Sequence, residues 1–549
     1  MRAFPRHASA MAVALVIALL PAVPATPAAE TAPGNQPQRL EWFRDLGFGI
    51  FIHWSVDSQI GSVISHSLVG ADADYRKRFF ESLPRSFNPT RYQPQEWASL
   101  IRLSGAKYVV FTAKHHSGFA MYDTRTTRFG IMSTPYGKDV TAELVKALRA
   151  EGLAVGLYFS PDDFYWLHTH GKTIARAPHP GVTPQENPGL LEYDRAQLRE
   201  LMSAYSPVDI VFLDGPAEGL RELVWEMQPS AVVTRGAIET PEQGIPGIPL
   251  DRPWEACITM GTAWQYKPTH ETYKSGTELI ELLIETRAKG GNLLLNIGPK
   301  PDGELALEQQ ERLRELALWN FVFGESLHAV RPWVVTNEGD VWFTRRRGGD
   351  TVYAFVTRVG NWTMGERRSF TLRSVKATAR TTVGILGQTG EVLEYRPDVD
   401  PRPQWRQDAD GFHVTVTLAQ RYYDDRRWTD PVVLKLTEVE PALTPPVVET
   451  IGAATDGAPA SAVLRAVLKD TGGAPSVDVG FQYRRKKRTE ELYEKGEPWR
   501  ETPLVARSSP GEFTARIDEL RGADDYEFRA MVRHPLITVF GEDKTIPRR

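Results

Sequence analysis

Short apolar runs alternate with amphipathic stretches between residue 40 and about residue 335. Several runs, such as Ala154–Ser160, are continuously apolar, which is typical of strands buried on both faces. The runs that predict strands are Phe48–Trp54, Tyr108–His115, Ala154–Ser160, Asp209–Gly215, Ala231–Gly236, Trp254–Met260 and Asn292–Gly298. The stretches that predict helices include Pro94–Ser104, Lys138–Gly152, Asp194–Tyr205 and Gly276–Lys289. This alternation indicates a parallel α/β architecture, and we expect a catalytic (β/α)8-like barrel over residues 36–335, with an irregular eighth strand.

The pattern changes after about Trp333. Segments such as Thr351–Thr357 and Phe412–Leu418 alternate apolar and polar residues and are separated by Gly, Asn and Asp. This pattern predicts a β-sandwich domain over residues 336–440. More alternating segments follow a proline-rich linker, and they predict a small immunoglobulin or fibronectin type III-like β domain over residues 441–549.

The first residues resemble an export signal. Arg2 and Arg6 precede an apolar run from Met11 to Leu20, and small residues and prolines follow it. This order predicts a signal peptide over residues 1–29. The run is shorter than the roughly 20 residues that cross a bilayer, so we expect no membrane insertion. The mature protein is expected to be exported, to the periplasm or the medium.

Composition narrows the chemistry. The formal net charge is −4, from 65 basic and 69 acidic residues, which gives no indication of nucleic-acid binding. Cys257 is the only cysteine, so neither an intrachain disulfide nor a cysteine-based zinc site is expected.

Reactive side chains recur where the predicted strands end. In a barrel of this kind the strand ends meet at one face, where catalytic residues lie. We therefore expect the following residues to share a site: His53, Trp54, His115, His116, Tyr158, Asp214, Arg235, Glu255 and Trp264. Buried charge and imidazole are costly unless they are used, so the set as a whole favours a functional site.

Two chemistries fit this set of residues. Two carboxylates with histidines and aromatic rings suit glycoside hydrolysis, in which one carboxylate attacks and one acid protonates the leaving oxygen. The alternative is a metal-dependent hydrolase with His53, His115, His116 and Asp214 as ligands. Neighbouring strand residues point to opposite faces, so His115 and His116 both face the site only if the backbone bends there.

Several motifs resemble glycoside hydrolase family 29, the α-L-fucosidases. They keep the family's order from about residue 40 to residue 335, and the blocks around His115 and Asn296 are the most specific. The matching stretches are Trp42–Ser55, Phe87–Tyr92, Ala106–Phe119, Gly156–Ser160, Phe212–Gly215, Trp254–Glu255, Gly291–Pro299 and Asp302–Gly303. The resemblance implies a retaining enzyme that releases terminal α-L-fucose from glycans and needs no cofactor or metal.

The resemblance also implies roles for individual residues. Asp214 is implied as the nucleophile, and His53, His115 and His116 as the residues that hold fucose hydroxyls. Tyr158 and Arg235 match further pocket positions. Trp54 and Trp264 are candidates to cover the apolar face of the sugar.

The acid/base residue is less constrained, because the family places it variably. Glu255 follows the nucleophile in the Trp-Glu motif and is preferred here, with Glu242 in Thr240-Pro-Glu-Gln as the alternative. Glu239 is a third candidate, more typical of a solvated loop.

The chain departs from the family at two places. Ser65-His66-Ser67 stands where many relatives carry an acidic–aromatic pair, and Phe212 stands where many have Trp. His66 is therefore a candidate substrate-binding residue, and linkage preference stays open. A non-catalytic carbohydrate-binding relative is the remaining alternative, and the two C-terminal domains are expected to brace the barrel rather than bind glycan.

Overall fold

The computed structural model describes residues 34–250, 252–454, 460–488, 491, 496–518, 520–521 and 524–546. The predicted signal peptide, residues 1–29, lies outside the described residues. Within the described part of the chain, no helix combines the length and apolar character needed to cross a membrane.

A seven-stranded parallel sheet forms the first part of the fold, in the order β5-β4-β3-β2-β1-β7-β6. Residues from distant strands meet in one buried cluster, since Phe51 on β1 shares it with Phe212 on β4 and Cys257 on β6, so the sheet is curled. The predicted parallel α/β architecture is confirmed. The strands are β1 Phe48–Ile52, β2 Tyr108–Lys114, β3 Ala154–Phe159, β4 Ile210–Leu213, β5 Val232–Val233, β6 Glu255–Thr259 and β7 Asn292–Ile297.

Residues 239–243 lie beside β6, at the free edge of the parallel sheet. Two parallel bridges, Glu239 with Trp254 and Glu242 with Cys257, join this segment to β6. The backbone N–H of Cys257 donates to Pro241, and that of Gln243 donates to Cys257. The segment therefore lies at the edge of the sheet, where a further strand would pair with β6.

Helices connect the strands, and polar side chains fix where several of them begin. Asp139 caps α5 and Ser275 caps α9, the latter in a reciprocal capping box with Glu278. The predicted helix at Asp194–Tyr205 is the second part of a longer helix. The helices are α1 Pro37–Leu46, α2 Ala73–Lys77, α3 Leu83–Ser86, α4 Pro94–Leu103, α5 Val140–Ala150, α6 Phe164–Thr169, α7 Pro188–Ala204, α8 Arg221–Met227, α9 Gly276–Ala288 and α10 Leu307–Phe323.

Antiparallel sheets follow α10, as the alternating pattern predicted. A five-stranded sheet has the order β13-β17-β10-β9-β8, and smaller sheets join β11 to β16 and β12 to β15 and β14. The strands are β8 Val330–Glu338, β9 Val341–Arg346, β10 Val352–Val356, β11 Trp362–Thr363, β12 Arg367–Leu372, β13 Val375–Ile385, β14 Gln404–Asp408, β15 Gly411–Thr417, β16 Arg427–Trp428 and β17 Val432–Pro441.

Two further sheets complete the described chain. One has the order β18-β19-β23, and the other has the order β21-β20-β24-β25, with β22 on β20 and β26 on β24. The strands are β18 Val447–Ala454, β19 Ala462–Asp470, β20 Val477–Arg485, β21 Arg500–Glu501, β22 Val505–Arg507, β23 Gly511–Ile517, β24 Tyr526–Arg533, β25 Thr538–Phe540 and β26 Lys544–Ile546.

The buried side chains show which sheets depend on one another. One continuous apolar cluster includes the helices around the parallel sheet and the strands between residues 330 and 439. The indole N–H of Trp319 on α10 donates to the carbonyl of Pro431 at 2.8 Å, a buried contact between the two regions. The last sheets have a cluster of their own, which includes Leu464, Phe481 and Phe528.

Candidate active site

A cavity of about 150 Å³ opens at the carboxyl ends of the parallel strands. It is smaller than the roughly 300–1,000 Å³ of pockets for drug-sized ligands, so it suits a small ligand such as one sugar unit. Predicted site residues that line it are His53, His66, His115, Tyr158, Asp214, Arg235, Trp264 and Glu242. Most of the residues that line this cavity were therefore predictable from the sequence.

Asp214 follows β4 directly and lies at the centre of the site. Its Oδ2 accepts a hydrogen bond from the Tyr158 hydroxyl at 2.8 Å, and its Oδ1 accepts from Arg235 Nη1 at 2.8 Å. His116 Nε2 lies 3.4 Å from Oδ2. Both carboxylate oxygens are therefore oriented, and the side chain is only 17% exposed.

The surroundings of Asp214 keep it ionised. Burial alone raises the pKa of this carboxyl, but the hydrogen bond and charge of His116 and the charge of Arg235 outweigh it. They hold the pKa of Asp214 well below 3.8. A charged, partly desolvated carboxylate at the base of a pocket suits a nucleophile.

Arg235 connects Asp214 to Glu242. Its Nη1 lies 2.8 Å from Asp214 Oδ1 and 3.4 Å from Glu242 Oε2. Two bonds to Thr240, one to the side chain and one to the carbonyl, fix the guanidinium on the same segment that carries Glu242. The two carboxylates thus face one another across a single cation.

His53 and His115 offer opposite hydrogen-bonding groups to the cavity. The amide of Asn296 donates to the carbonyl of Trp264, so its oxygen faces His53 and accepts from Nδ1 at 2.6 Å. Nε2 of His53 is then an acceptor, because burial lowers the pKa of this imidazole to about 3 and keeps it neutral.

His115 carries its ring proton on the other nitrogen than His53 does. Its Nδ1 accepts the backbone N–H of His116 at 2.9 Å, which leaves the proton on Nε2. Burial holds the pKa of His115 well below 6.5, so this ring is also neutral. The pair can therefore accept from one sugar hydroxyl and donate to another.

His115 and His116 both reach the site because β2 ends at Lys114, before either residue. The opposite-face rule for strands does not apply beyond that point. His116 Nδ1 is hydrogen-bonded to Ser160 Oγ. Among the described residues, ligand atoms of His115, His116 and Asp214 lie within 4.8 Å of one another, close enough to hold a metal ion.

The preference for Glu255 as acid/base is wrong in its placement. Glu255 is the first residue of β6, so it lies at the amino end of the sheet, opposite the cavity. It is fully buried, and its Oε1 accepts from the hydroxyl of Tyr108, the first residue of β2, at 2.7 Å. The sequence predicted this strand close to its observed bounds, but Trp254-Glu255, at its amino end, was taken for the end that faces the site.

Trp54 is a second correction. Its ring is fully buried outside the cavity, packed against Phe87, Tyr92 and Trp97. It follows His53, but its ring points away from the cavity, toward α4, which carries Trp97. Trp264, in contrast, lies with its ring centre 5.0 Å from that of His53.

Some lining residues were not predicted as site residues. Phe51 and Cys257 form part of the wall from within the strands, where an apolar side chain gives no functional signal in a sequence. Phe212, noted in the sequence as a departure from the family, also lines the cavity. Arg176 and Ser65 belong to loops and do not follow a strand directly in the sequence, although both line the cavity. Ser65 Oγ lies 2.8 Å from Nδ1 of His66, so the Ser65-His66 departure does reach the cavity.

Known proteins with similar sequences and folds are described as alpha-L-fucosidases. The sequence model of a family described as Alpha-L-fucosidase matches residues 24–325. An alpha-L-fucosidase of Branchiostoma floridae is 31% identical over 394 residues, covering 63% of this chain and 84% of that protein. A tissue alpha-L-fucosidase of Rattus norvegicus is 29% identical over 450 residues, which cover 72% of this chain and 90% of the rat protein.

A solved structure gives the same result for the fold. Alpha-L-fucosidase isoenzyme 1 from Paenibacillus thiaminolyticus is 25% identical, with a TM-score of 0.59, over 73% of this chain and 99% of that one. Because the family model spans more than half of the sequence, the chain belongs to the alpha-L-fucosidase family and is a glycoside hydrolase.

Proposed function

We propose that this enzyme hydrolyses terminal α-L-fucosides of glycans with net retention, using Asp214 as nucleophile and Glu242 as acid/base. The observation that carries the proposal is the contact of one Arg235 nitrogen with both carboxylates. Glu242 replaces Glu255 because it lines the same cavity as Asp214.

The spacing of the two carboxylates supports retention. Their oxygens lie 2.8 Å and 3.4 Å from the same Nη1, so they cannot be farther apart than those distances combined. That limit is below the roughly 6.5–9.5 Å of inverting enzymes and compatible with the roughly 5–5.5 Å of retaining ones.

In the first step, a carboxylate oxygen of Asp214 attacks the anomeric carbon as its bond to the glycosidic oxygen breaks. Glu242 gives its proton to that departing oxygen. In the second step, Glu242 takes a proton from water, whose oxygen attacks the anomeric carbon and breaks the ester bond to Asp214. Fucose leaves, and both side chains return to their starting states.

Arg235 supports both steps. Esterified Asp214 carries no charge, so the guanidinium then faces a single carboxyl group, that of Glu242, the base of the second step. The Glu242 side chain is 47% exposed, which leaves it free to turn toward the leaving oxygen.

The test compares Asp214→Ala and Glu242→Ala on an aryl α-L-fucoside and on a fucosylated oligosaccharide. The Asp214 variant is expected to lose activity on both, and the Glu242 variant mainly on the oligosaccharide, whose leaving group is poor. Added azide should yield a fucosyl azide of retained configuration with Glu242→Ala and of inverted configuration with Asp214→Ala. Glu255→Gln is the matched control, and a loss on the oligosaccharide alone in this variant would return the acid role to Glu255.

A metal-dependent hydrolase remains the second candidate, because the His115, His116 and Asp214 atoms could hold an ion. We expect wild-type turnover to be unchanged after dialysis against a chelator. Loss of activity that zinc or another divalent ion restores would favour the metal mechanism instead.

We also propose the finer architecture and the export predicted from the sequence. The curled sheet with residues 239–243 beside β6 is compatible with a (β/α)8-like barrel, and the shared apolar cluster supports bracing by residues 336–440. Residues 441–549 are proposed as the immunoglobulin-like domain, since they have a core of their own. Amino-terminal sequencing of the protein from the periplasm or medium should begin near residue 30 if the signal peptide is cleaved.

A further inference from the structure

Arg176 contributes a guanidinium to the cavity from the loop between α6 and α7. The two residues before it, Ile174 and Ala175, are buried, so the loop is attached to the core beside the cavity. Arg176 Nε donates to Asp162 Oδ2 at 3.0 Å. The side chain is 27% exposed, and it is held in place at one of its three nitrogens.

The partner of Arg176 is itself fixed. Asp162 is 2% exposed, and its backbone carbonyl accepts a hydrogen bond from Ser160 Oγ at 2.9 Å. Ser160 Oγ also contacts Nδ1 of His116, whose other nitrogen faces Asp214. Arg176 is therefore connected to the nucleophile through an ordered set of polar contacts.

The terminal nitrogens of Arg176 are not used inside the protein. Within the part of the chain that the structure describes, Arg176 has a hydrogen bond at Nε and none at Nη1 or Nη2. A guanidinium at a cavity wall with two unused donor nitrogens offers a rigid site for acceptor oxygens of a ligand.

Arg176 lies on the histidine side of the cavity. It lines the cavity together with His66 and His115, and contacts through Asp162 and Ser160 connect it to His116. Arg235, in contrast, is paired with Glu242. Since Glu242 is proposed to face the leaving group and the histidines to bind the sugar, Arg176 faces the fucosyl unit.

The charge balance indicates the kind of acceptor. Among the described residues, the charged groups that line the cavity are Arg176, Arg235, Asp214 and Glu242, two of each sign. These four groups leave no surplus positive charge for an anionic substituent such as a sulfate. Uncharged hydroxyl oxygens suit this wall better.

We propose that Arg176 is a specificity-determining residue that donates hydrogen bonds to a ring hydroxyl of the fucosyl unit. The inference rests on the proposed fucosidase activity.

The test is a cycle of protein and substrate changes. Wild type, Arg176→Lys and Arg176→Gln are assayed with an aryl α-L-fucoside and its 2-, 3- and 4-deoxy analogues. The kcat/KM of the Gln variant on the parent substrate is expected to fall roughly 10- to 100-fold, the range for a lost hydrogen bond to a charged group. Removal of one particular hydroxyl should lower the kcat/KM of wild type by a similar factor. The same removal should leave the kcat/KM of the Gln variant almost unchanged.

Inhibition by free fucose gives a second readout that a purely structural role would not move selectively. Its inhibition constant should rise in both Arg176 variants, and the thermal midpoint should stay near that of wild type. Arg78→Gln, which removes an exposed ion pair with Asp74, is the matched control and should behave as wild type.

Two results would overturn the inference in distinguishable ways. In the first, wild type is active and both Arg176 variants are folded, but removing each of the three hydroxyls lowers kcat/KM by the same factor in the variants as in wild type. Arg176 would then not contact a ring hydroxyl. Absence of turnover by wild type on every fucoside would refute the proposed function and this inference with it.

Discussion

At the residue scale, Arg235 serves two carboxylates, and replacing it should affect both. Lysine keeps the charge but cannot bond Asp214, Glu242 and Thr240 together, because it is a single point donor on a flexible stem. We expect Arg235→Lys to lower kcat/KM on an aryl α-L-fucoside by about 100-fold, comparable with loss of one positioned charge-stabilising donor.

The pH dependence of kcat/KM in an Arg235 variant separates the effect of the Arg235 charge from its role in positioning the carboxylates. In wild type, the charge of Arg235 helps hold the pKa of Asp214 well below 3.8, so the nucleophile stays ionised at mildly acidic pH. In Arg235→Met the acid limb of kcat/KM should move to higher pH. An unchanged acid limb would show that His116 alone keeps Asp214 ionised.

Glu255 gives a prediction about stability rather than catalysis. Burial raises the pKa of its carboxyl from 4.5 to about 7, so the folded protein holds this proton more tightly than the unfolded chain. The stabilisation is complete below pH 4.5 and is lost as the pH rises through 7, at about 1.4 kcal/mol per unit of pKa shift at most. Glu255→Gln, which cannot ionise, should gain stability relative to wild type between pH 5 and pH 8.

Urea unfolding at several pH values measures this difference. Glu255→Asp retains an ionisable carboxyl at this position and is the comparison variant. A constant difference between wild type and the Gln variant across the pH range would contradict the buried, protonated state of Glu255.

At the element scale, α9 sets the start of β7, whose Asn296 orients His53 and Trp264. The capping box of Ser275 and Glu278 satisfies backbone N–H groups at the first turn of α9. We expect Ser275→Ala to lower the free energy of unfolding by about 1 kcal/mol and to leave kcat/KM unchanged. Ser275→Asp, which can cap, should recover most of the loss in the same urea titration.

The position of single elements explains the main error in the site. The apolar run Trp254–Met260 predicted β6 well, but Glu255 stands at the start of that run and was assigned to the end that faces the site. Parallel pairing of Glu255 with Asn292, the first residue of β7, decides that Glu255 lies at the amino end. Glu242 was harder to place because its segment is tied to β6 by isolated bridges rather than by a regular strand.

At the scale of the whole molecule, the parallel sheet and the sheets of residues 330–441 share buried contacts and should unfold together. Trp319→Phe removes the indole donor and leaves the Pro431 carbonyl without it, in a fully buried place. An unpaired buried acceptor costs about 1–3 kcal/mol, so the unfolding midpoint should fall while the activity of the folded enzyme is retained. Far-UV signal and activity should be lost at the same urea concentration, and loss of activity at lower urea would argue for independent units.

The amino-acid sequence by itself determined the elements and most of the wall of the cavity. Buried parallel strands read as continuous apolar runs because both faces are covered, and alternating runs after residue 333 read as antiparallel sheets. His53, His115, Tyr158, Asp214 and Arg235 could be predicted because a polar residue after an apolar run stands out.

Only the tertiary structure decided which carboxylate shares the cavity with Asp214. That choice depends on how β6 pairs with β7 and on how residues 239–243 lie beside it, contacts between segments that no local pattern records. The same holds for Trp54, whose ring packs in the core against Phe87, Tyr92 and Trp97, and for Arg176, brought to the cavity by a loop. Local preferences fix what each segment becomes, whereas long-range packing fixes which side chains meet.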